Sequence, residues 1–268
     1  ADWYGGIEPS DGPREVVVTK HRFSAFWGTD FDLYLRSNGI RTVIITGVVT
    51  SGCIDATVRD AFFLDYRVVV PADCVADPIP GRQESFLDKI GETFGTVLPS
   101  GNILAAWAGA NSAAPRYWRP EVKQGHVLAE LGARVDPMHT ALILVDLQHD
   151  FCDPKGAMGT RGEDLSVAQA ILPSVGQLLG GARKAGLMVV HVKAEYGLDS
   201  ASDVSLYSGN HVGATECCRP GSWGAEFVDE ARPLDGEHGR SVRPSGQSEL
   251  LQSTAYLAGR RPPPCAPG

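Results

Sequence analysis

The sequence predicts an α/β fold in three layers, in which helices cover both faces of a mainly parallel, Rossmann-like sheet of about six strands. Two observations lead to this prediction. Short runs of Val, Ile and Leu, each bounded by polar residues or glycine, are typical of parallel strands that are buried on both faces. Segments with helical spacing of apolar residues lie between these runs, and such alternation indicates a sheet with helices packed on it.

Five apolar runs are the predicted strands. In chain order they are Glu15–Thr19, Thr42–Gly47, Arg67–Pro71, Thr140–Asp146 and Leu187–Lys193. Continuous apolar runs rather than alternating ones indicate burial on both faces of the sheet.

Three segments predict helices with one apolar face. They are Asp30–Ser37 with Phe31, Tyr34 and Leu35, Gly52–Asp65 with Ile54, Val58, Ala61 and Phe62, and Ser166–Ala185 with Ile171, Val175, Leu178 and Leu179. Asn38-Gly39 and Gly186 are the stop signals of the first and third helices.

Two stretches interrupt the alternation. Residues 108–138 are rich in Gly, Ala and Pro and predict a connector with a short helix over Val127–Leu131. Residues 231–268 hold many Arg, Gly, Pro and Ser residues, which bury little apolar surface, so they predict a mobile tail. Residues 1–107 and 139–230 divide the predicted strands between them and are expected to form one domain together.

Charge and hydropathy exclude several classes of protein. The chain of 268 residues has a formal net charge of -8, which argues against nucleic acid or an anionic membrane as its main partner. No apolar run approaches the roughly 20 residues of a membrane span. The start of the sequence lacks a basic region followed by an apolar core, so no signal peptide is expected.

The six cysteines include no Cys-x-x-Cys pair. This absence argues against a structural zinc site and against a thioredoxin-like redox site. A chain of this length does not depend on disulfides, and a reducing, cytoplasmic location is expected.

Cys53 follows one predicted strand directly and begins a predicted helix. Active sites of open α/β sheets lie at the carboxyl ends of strands. A cysteine at a helix N-terminus meets exposed N–H groups and the positive end of the helix dipole, and both favour the nucleophilic thiolate. The alternative is a small cysteine that only packs.

Asp146 and Lys20 also lie at strand ends. Considered alone, a carboxylate there is often a helix cap, and a lysine is usually the solvated end of a strand. Together with Cys53 they place an acid, a base and a nucleophile at three strand ends, which is the general form of a catalytic triad.

Four blocks of sequence resemble the isochorismatase-like cysteine hydrolases. Val43–Asp77 resembles the nucleophile region of that superfamily, Thr140–Met158 its amino-terminal strand with the catalytic aspartate, and Val16–Val43 its catalytic-lysine segment. Pro220–Glu226 is similar to the segment that normally precedes the lysine strand. The blocks span about 200 residues, which is far more specific than a single motif.

The resemblance implies roles for these residues. Cys53 would attack a carbonyl carbon, Asp146 would take and return a proton, and Lys20 would keep Asp146 charged and lower the pKa of the cysteine. A cis peptide bond at Val48-Val49 would shape an oxyanion hole from the N–H groups of Val49 and Cys53. The substrate-pocket candidates are Phe26, Trp27, Thr50, Phe151 and Trp223.

The order of the segments differs from that of the superfamily, where aspartate, lysine and cysteine follow one another. Here the order is Lys20, Cys53, Asp146. Moving residues 140–230 in front of residues 1–107 restores the usual order, so circular permutation is the simplest explanation. New termini in an exposed loop are tolerated best. The alternative is a fusion of two halves whose sites are completed between chains.

The relatives within the superfamily differ in chemistry. Nicotinamidases bind a metal through an Asp-x-His motif and a further histidine, and His191–Tyr196 lacks that motif. We therefore expect no metal and no cofactor, with His191 and His211 in packing and surface roles. Thr50–Cys53 resembles the carbamoylsarcosine and maleamate amidases. Asp55 stands where some carboxylate-binding relatives have arginine, which argues against a small anionic substrate.

The sequence favours an amidohydrolase that cleaves the C–N bond of a small amide, carbamoyl or ureido compound through a thioester, with water as second substrate. Arg59–Tyr66 and Arg36–Arg41, which are closer to ureidoacrylate hydrolases, support a ureido compound. Two alternatives remain: an amidase that opens a lactam in a natural product, as streptothricin hydrolase does, and a non-catalytic binding or scaffold protein. A homo-oligomer is expected.

Overall fold

A computed structural model describes residues 15–109, 131–196 and 217–234 of the chain. In chain order its strands are β1 (Glu15–Lys20), β2 (Thr42–Val48), β3 (Arg67–Pro71), β4 (Val75–Ala76), β5 (Thr96–Leu98), β6 (Thr140–Val145) and β7 (Met188–Ala194). Every pairing between them is parallel. The described residues thus form one sheet in the order β1-β7-β6-β2-β3-β5, with β4 beside the end of β2.

The helices of the described residues pack on both faces of this sheet. They are α1 (Phe31–Ser37), α2 (Asp55–Phe63), α3 (Arg82–Lys89), α4 (Ser100–Gly109), α5 (Leu131–Arg134), α6 (His149–Cys152), α7 (Ala157–Thr160) and α8 (Ser166–Ala185). No helix among the described ranges is long and apolar enough to cross a membrane.

Alternate residues of the central strands supply two separate cores, because successive side chains of a strand point to opposite faces. Val43 and Ile45 of β2 pack with α1, α2 and the end of α3 on one face. Ile44 of the same strand packs with α4 and α8 on the other. The predicted three-layer fold with a mainly parallel sheet is therefore confirmed.

The two halves of the chain share this sheet. Strands β6 and β7 of residues 139–230 lie between β1 and β2 of residues 1–107. Strand β1 pairs with β7 over six residues, and β2 pairs with β6 over six residues. In either half alone, the strands that now pair with the other half would have an unpaired edge. The two halves therefore depend on each other to complete the sheet and its core.

Several sequence predictions need correction at their boundaries. The predicted helix Gly52–Asp65 is a π-helical turn over Thr50–Ile54 followed by α2, and Phe62 is 41% exposed because it lies at the edge of the apolar stripe. Strands β4 and β5 are too short for an apolar pattern to reveal them.

The structure differs from the prediction at the boundaries of the connector and of the tail. Helix α4 continues to Gly109, beyond the expected connector boundary at 107. The predicted short helix ends at Leu131, but α5 runs over Leu131–Arg134; residues 127–130 lie outside the described ranges. Ala231 is fully buried against α8, so the predicted tail cannot begin at 231. Residues 235–268 lie outside the described residues.

A buried ionic network joins the two halves at the edge of the sheet. Glu15 of β1 accepts hydrogen bonds from Arg183 of α8, at 2.5 and 3.0 Å, and its Oε2 lies 3.0 Å from His191 Nε2. The Nδ1 atom of the same imidazole lies 2.9 Å from the carbonyl oxygen of Ala231. His191 is thus buried and hydrogen-bonded through both ring nitrogens; His211 lies outside the described residues.

The Glu15 network predicts a loss of stability in acid. Burial raises the pKa of Glu15, but hydrogen bonds and charge attraction from His191 and Arg183 outweigh it, and the pKa falls from 4.5 to about 2. A depressed carboxyl pKa adds stability above its unfolded-state value, and this contribution is lost as the pH falls from about 4.5 towards 2. The contribution at neutral pH is about 3 kcal/mol. Denaturant unfolding over this pH range measures it.

Glu15→Gln tests the assignment. We expect this variant to lose most of that contribution at neutral pH and to show a weaker dependence of unfolding free energy on acid than the wild type. Glu84→Gln, which changes an exposed carboxylate, is the matched control. Equal acid sensitivity in the wild type and in Glu15→Gln would show that the network does not hold the two halves together.

Candidate active site

The sheet brings the three sequence-predicted chemical groups to one edge. Strands β1, β2 and β6 are parallel members of one sheet, so their carboxyl ends lie on the same side. Asp146 follows β6 directly, and Cys53 lies in the turn after β2, which is the neighbour of β6. Lys20 ends β1, which is two strands away from β6.

The length of the lysine side chain explains how Lys20 reaches Asp146. Strands β1 and β6 lie about 10 Å apart across β7, since neighbouring strands are spaced by nearly 5 Å. The residue of β7 in register with Lys20 is Ala194, whose small side chain leaves room at the strand end. A long, flexible side chain at this position can therefore span the intervening strand.

Lys20 contacts both of the other groups. Its Nζ lies 2.8 Å from Asp146 Oδ2 and 3.2 Å from Cys53 Sγ, and it also donates to the carbonyl oxygen of Arg22 at 3.1 Å. The Asp146 carboxylate and the Cys53 thiol are close enough for each to shift the pKa of the other. Lys20 and Asp146 are buried, and Cys53 is 9% exposed. The three side chains form one compact, nearly dry cluster.

The backbone at Asp146 turns its carboxylate into this cluster. Asp146 has a φ of 56°, in the left-handed region that aspartate tolerates better than most residues. Its N–H still donates to the carbonyl oxygen of Val192 at 2.9 Å, so the residue remains attached to β7 while the strand ends.

Gly47 allows β2 to approach β6 closely at the same edge. A Cβ atom at Gly47 would lie 1.9 Å from the carbonyl oxygen of Val145, and its φ is 118°. Only glycine fits this combination of conformation and close approach. The turn that carries Cys53 therefore starts beside the end of the aspartate strand.

Cys53 lies within the π-helical turn, not at the first residue of a regular α-helix. The Val48-Val49 peptide bond is cis, as the resemblance implied. The carbonyl oxygen of Val49 accepts hydrogen bonds from the N–H groups of Gly52 and Ile54 at 3.0 and 3.2 Å. These bonds wrap the chain around Val49 and hold the two oxyanion-hole candidates, Val49 and Cys53, in one turn.

Side chains that the sequence analysis missed hold this turn in place. Asp77 is buried and accepts a hydrogen bond from Ser51 N at 2.8 Å, and Thr50 Oγ1 donates to Gln83 Oε1 at 2.6 Å. Thr57 Oγ1 donates to the carbonyl oxygen of Cys53 at 2.7 Å. Asp77 and Gln83 are far from the turn in sequence, so no local motif could reveal them.

Gln148 has a similar supporting role on the aspartate side, and the sequence analysis also missed it. It is fully buried, and its Nε2 donates to the carbonyl oxygens of Ala194 and Ala225 at 3.0 and 2.8 Å. Its Oε1 accepts from Ala194 N at 2.8 Å. One side chain thereby fixes the segment after Asp146, the end of β7 and the segment that contains Ala225.

The pKa values of the cluster follow from burial and mutual attraction. Burial opposes the charge of Lys20, but Asp146 and Cys53 outweigh it and raise the pKa of the lysine above its usual range. Burial raises the pKa of Asp146, while Lys20 opposes this rise. Burial and then Asp146 raise the pKa of Cys53 to about 12, and Lys20 only partly offsets them.

Lys20 thus lowers the pKa of Cys53, as expected, but burial and Asp146 raise it by more in the free site. A neutral thiol rests against a carboxylate whose raised pKa suits it to accept a proton. The geometry places Asp146 where it can accept the proton of Cys53, with Lys20 beside both side chains. In this arrangement the resting cysteine is a neutral thiol, and the thiolate can form when the proton moves to Asp146.

The substrate-pocket candidates occupy different surroundings. Phe26 is buried and packs against Phe31 at a ring distance of 4.7 Å, and Thr50 is fully buried. Phe151 packs between two apolar clusters. The exposed candidates are Trp27, at 70%, and Trp223, whose ring stacks on that of His149 at 4.2 Å. A lining role stays a prediction for all five.

Comparison with known proteins gives a consistent set of similarities. Residues 1–101 and 140–239 match the sequence profile of the isochorismatase domain, and together these blocks cover more than half of the chain. The N-carbamoylsarcosine amidase of Arthrobacter sp. is 40% identical over 98 residues, which are 37% of this chain and 36% of that protein.

Two further relatives match similar lengths. The ureidoacrylate amidohydrolase RutB of Pseudomonas savastanoi pv. phaseolicola is 41% identical over 86 residues, 32% of this chain and 35% of that protein. A solved isochorismatase family protein from Desulfovibrio vulgaris has 38% identity and a TM-score of 0.34, covering 39% of this chain and 54% of that one. The chain spans about a third of the length of the curated relatives in these matches.

Proposed function

Because the chain belongs to the isochorismatase domain family, we propose that it is a cysteine-dependent amidohydrolase that cleaves the C–N bond of a small amide, carbamoyl or ureido compound. The observation that carries this proposal is the contact of one buried ammonium group, Lys20 Nζ, with both Asp146 and Cys53. The named amidase and amidohydrolase relatives support the same reaction class.

The first half of the reaction forms a thioester. Asp146 takes the proton of Cys53 as the sulfur attacks the carbonyl carbon of the substrate, and Lys20 stabilises the negative charge that the cluster then carries. When the tetrahedral intermediate collapses, the C–N bond breaks and Asp146 returns the proton to the leaving nitrogen. Ammonia or an amine departs, and the acyl group remains on Cys53.

Water completes the reaction. Asp146 takes a proton from the water that attacks the thioester, and the proton returns to the sulfur as the acid product leaves. The N–H groups of Val49 and Cys53 are the proposed donors to the oxyanion in both halves. The wrapped turn around the Val49 carbonyl supports this role, because it holds both donors in a fixed arrangement.

Asp55 argues for a substrate without a negative charge near the nucleophile. Its carboxylate begins α2, two residues after Cys53, and Arg59 Nε pairs with one oxygen at 2.7 Å. The other oxygen is buried without a hydrogen-bond partner in the described structure. A carboxylate at this position offers an anionic substrate no positive partner, so neutral amides and ureido compounds are the favoured substrates.

Ammonia release from a panel of neutral amides, ureido compounds and lactams tests the proposed function. We expect turnover of small amides or ureido compounds by protein that has first been dialysed against a chelator, because no residue of the Lys20–Asp146–Cys53 cluster needs a metal for its role. Zinc or iron that restores a lost activity would contradict the mechanism. Turnover of lactams alone would favour the natural-product alternative, and no turnover of any class would favour a binding protein.

We also propose that the chain is a circular permutation of the family order. The two matched blocks contribute interleaved strands to one sheet, which supports a single permuted domain. Leu234 N lies 3.3 Å from Glu15 Oε2, so the last described residue of the second block lies beside the first described residue of the first block. A linking segment between Leu234 and Glu15 therefore has only a short distance to span.

A rearranged chain tests the permutation. Residues 110–234 followed by residues 1–109 restore the family order without residues 235–268, and we expect a soluble protein with activity equal to that of the present chain. Gel filtration and ammonia release measure this. A rearranged chain that is insoluble or inactive, beside an active monomer of the present order, would contradict the proposal. Activity that disappears when a dimer is diluted would instead indicate sites completed between chains.

A further inference from the structure

We propose that Cys217, Cys218 and Asp150 form a binding site for one soft divalent cation, of the class of Zn²⁺ or Cd²⁺, separate from the Lys20–Asp146–Cys53 cluster. The two sulfur atoms and a carboxylate oxygen all lie within 4.8 Å of one another, and all three residues are buried. Thiolate sulfur is the ligand that such cations prefer, and a carboxylate is an accepted third ligand.

The spacing of the two sulfur atoms fits a shared cation. They lie 3.6 Å apart. Two thiolates bound to one tetrahedral zinc ion at about 2.3 Å each lie about 3.8 Å from one another. The sulfur pair is thus already close to the separation that a bound cation requires, and a carboxylate oxygen of Asp150 lies within 4.8 Å of both sulfur atoms.

An unusual backbone conformation produces this spacing. Neighbouring side chains of an extended chain point in opposite directions, so two adjacent cysteines normally present their sulfur atoms on opposite sides. Cys218 has a φ of 51°, in the left-handed region that non-glycine residues rarely adopt. This turn brings both sulfur atoms to the same side. Non-glycine residues that are held in such a strained backbone conformation are often found at functional sites.

The carboxylate of Asp150 is held in place before any cation binds. Its oxygens accept hydrogen bonds from the N–H groups of Ala157 and Cys218 at 2.8 and 2.6 Å. Gly224 leaves the space that the carboxylate fills, because a Cβ atom there would lie 2.2 Å from its oxygens. Ligands that outer partners orient in this way lose little freedom on binding a metal.

The surroundings favour a cation site over accidental proximity. The cysteine pair packs with Ala194 and Ala225, which offer no competing ligand atoms, and the carbonyl oxygen of Cys218 accepts a hydrogen bond from Tyr196 N at 3.1 Å. The sequence argument against zinc depended on the missing Cys-x-x-Cys spacing. In this protein the left-handed conformation of Cys218 directs two sulfur atoms towards one point, as the Cys-x-x-Cys spacing does in zinc sites.

Binding is an exchange of protons for a cation. The cation forms bonds to both sulfur atoms, the two S–H bonds break, and two protons pass to solvent. The two thiolates balance the charge of the cation, and the Asp150 carboxylate, which accepts two backbone hydrogen bonds, leaves the site with one negative charge. No oxidant or reductant is involved. Because the thiols must lose their protons, the affinity should rise with pH.

Titration of the chelator-treated protein with Cd²⁺ tests the site through the ultraviolet absorption of thiolate-to-cadmium charge transfer. We expect one cadmium per chain in the wild type. Cys217→Ser should weaken this binding by roughly 10- to 100-fold or more. Cys74→Ser and Cys53→Ser are the matched controls and should keep both the absorption band and the affinity. A band that survives in Cys217→Ser, or that disappears in Cys53→Ser, would overturn the proposal.

A second measurement covers the case in which Cys217→Ser fails to fold. In the wild type, saturating Cd²⁺ should protect Cys217 and Cys218 from iodoacetamide, as peptide mapping by mass spectrometry reveals. Zn²⁺ should compete with Cd²⁺ for this protection. Equal alkylation of both cysteines with and without Cd²⁺ would also overturn the proposal. Neither readout uses hydrolysis, so the site and the proposed function can fail independently.

Discussion

Replacement of Cys53 by alanine is expected to abolish hydrolysis while it leaves the fold intact. Alanine fills most of the volume of the cysteine, so the apolar surroundings of residue 53 lose little contact. The sulfur that would carry the acyl group is gone, and no other described cysteine touches both Lys20 and Asp146. We expect a decrease in kcat of at least about a thousandfold, which is typical for removal of a nucleophile. Steady-state ammonia release measures the loss.

Serine at the same position tests the chemistry of the nucleophile. Cys53→Ser retains the hydrogen-bonding geometry but presents an alkoxide, which is far harder to form than a thiolate. Its activity should be close to that of Cys53→Ala, with an unchanged circular dichroism spectrum and melting temperature in both variants. Substantial activity of Cys53→Ser would indicate that the residue positions the substrate without bonding to it.

Alkylation gives an independent test of Cys53. Iodoacetamide should label Cys53 in the wild type faster than Cys152 or Cys217, because only its sulfur has a neighbouring base and a neighbouring cation within the described structure. Peptide mapping reveals the order of labelling. Labelling of Cys152 or Cys217 first, with Cys53 inert, would contradict the nucleophile assignment.

Removal of either Lys20 or Asp146 alone is expected to cause large losses of both stability and activity. The pair is buried, with 2.8 Å between Nζ and Oδ2, so each single change leaves an unpaired charge in a dry site. Such a loss typically amounts to roughly 3–5 kcal/mol of unfolding free energy. Lys20→Met and Asp146→Leu should each show it in urea unfolding, together with loss of turnover.

The double variant separates stability from catalysis. Lys20→Met with Asp146→Leu replaces both charges by apolar groups, and we expect it to recover much of the lost stability but none of the activity. The coupling energy of the double-mutant cycle reports the contact directly. Additive stability losses would mean that the two side chains do not pair. Recovered activity in the double variant would mean that neither is needed for catalysis.

The amino-acid sequence by itself determined the class of fold and the family. Apolar runs predict the central strands because a strand buried on both faces has few polar positions. The long amphipathic segment predicts α8 with its bounds, Ser166–Ala185, ended by Gly186. The blocks around Lys20, Cys53 and Asp146 carry the family resemblance, which the match of residues 1–101 and 140–239 confirms. Both kinds of signal are local in the chain, so they can be read without a structure.

Only the tertiary structure decided how these local signals combine. The partners of the cysteine turn and of the aspartate segment, Asp77, Gln83 and Gln148, come from distant parts of the chain, and no spacing rule connects them. The resting pKa of Cys53 depends on burial and on Asp146, which no helix position can reveal. Burial and long-range pairing depend on which strands become neighbours, and that is fixed only when both halves of the chain form one sheet.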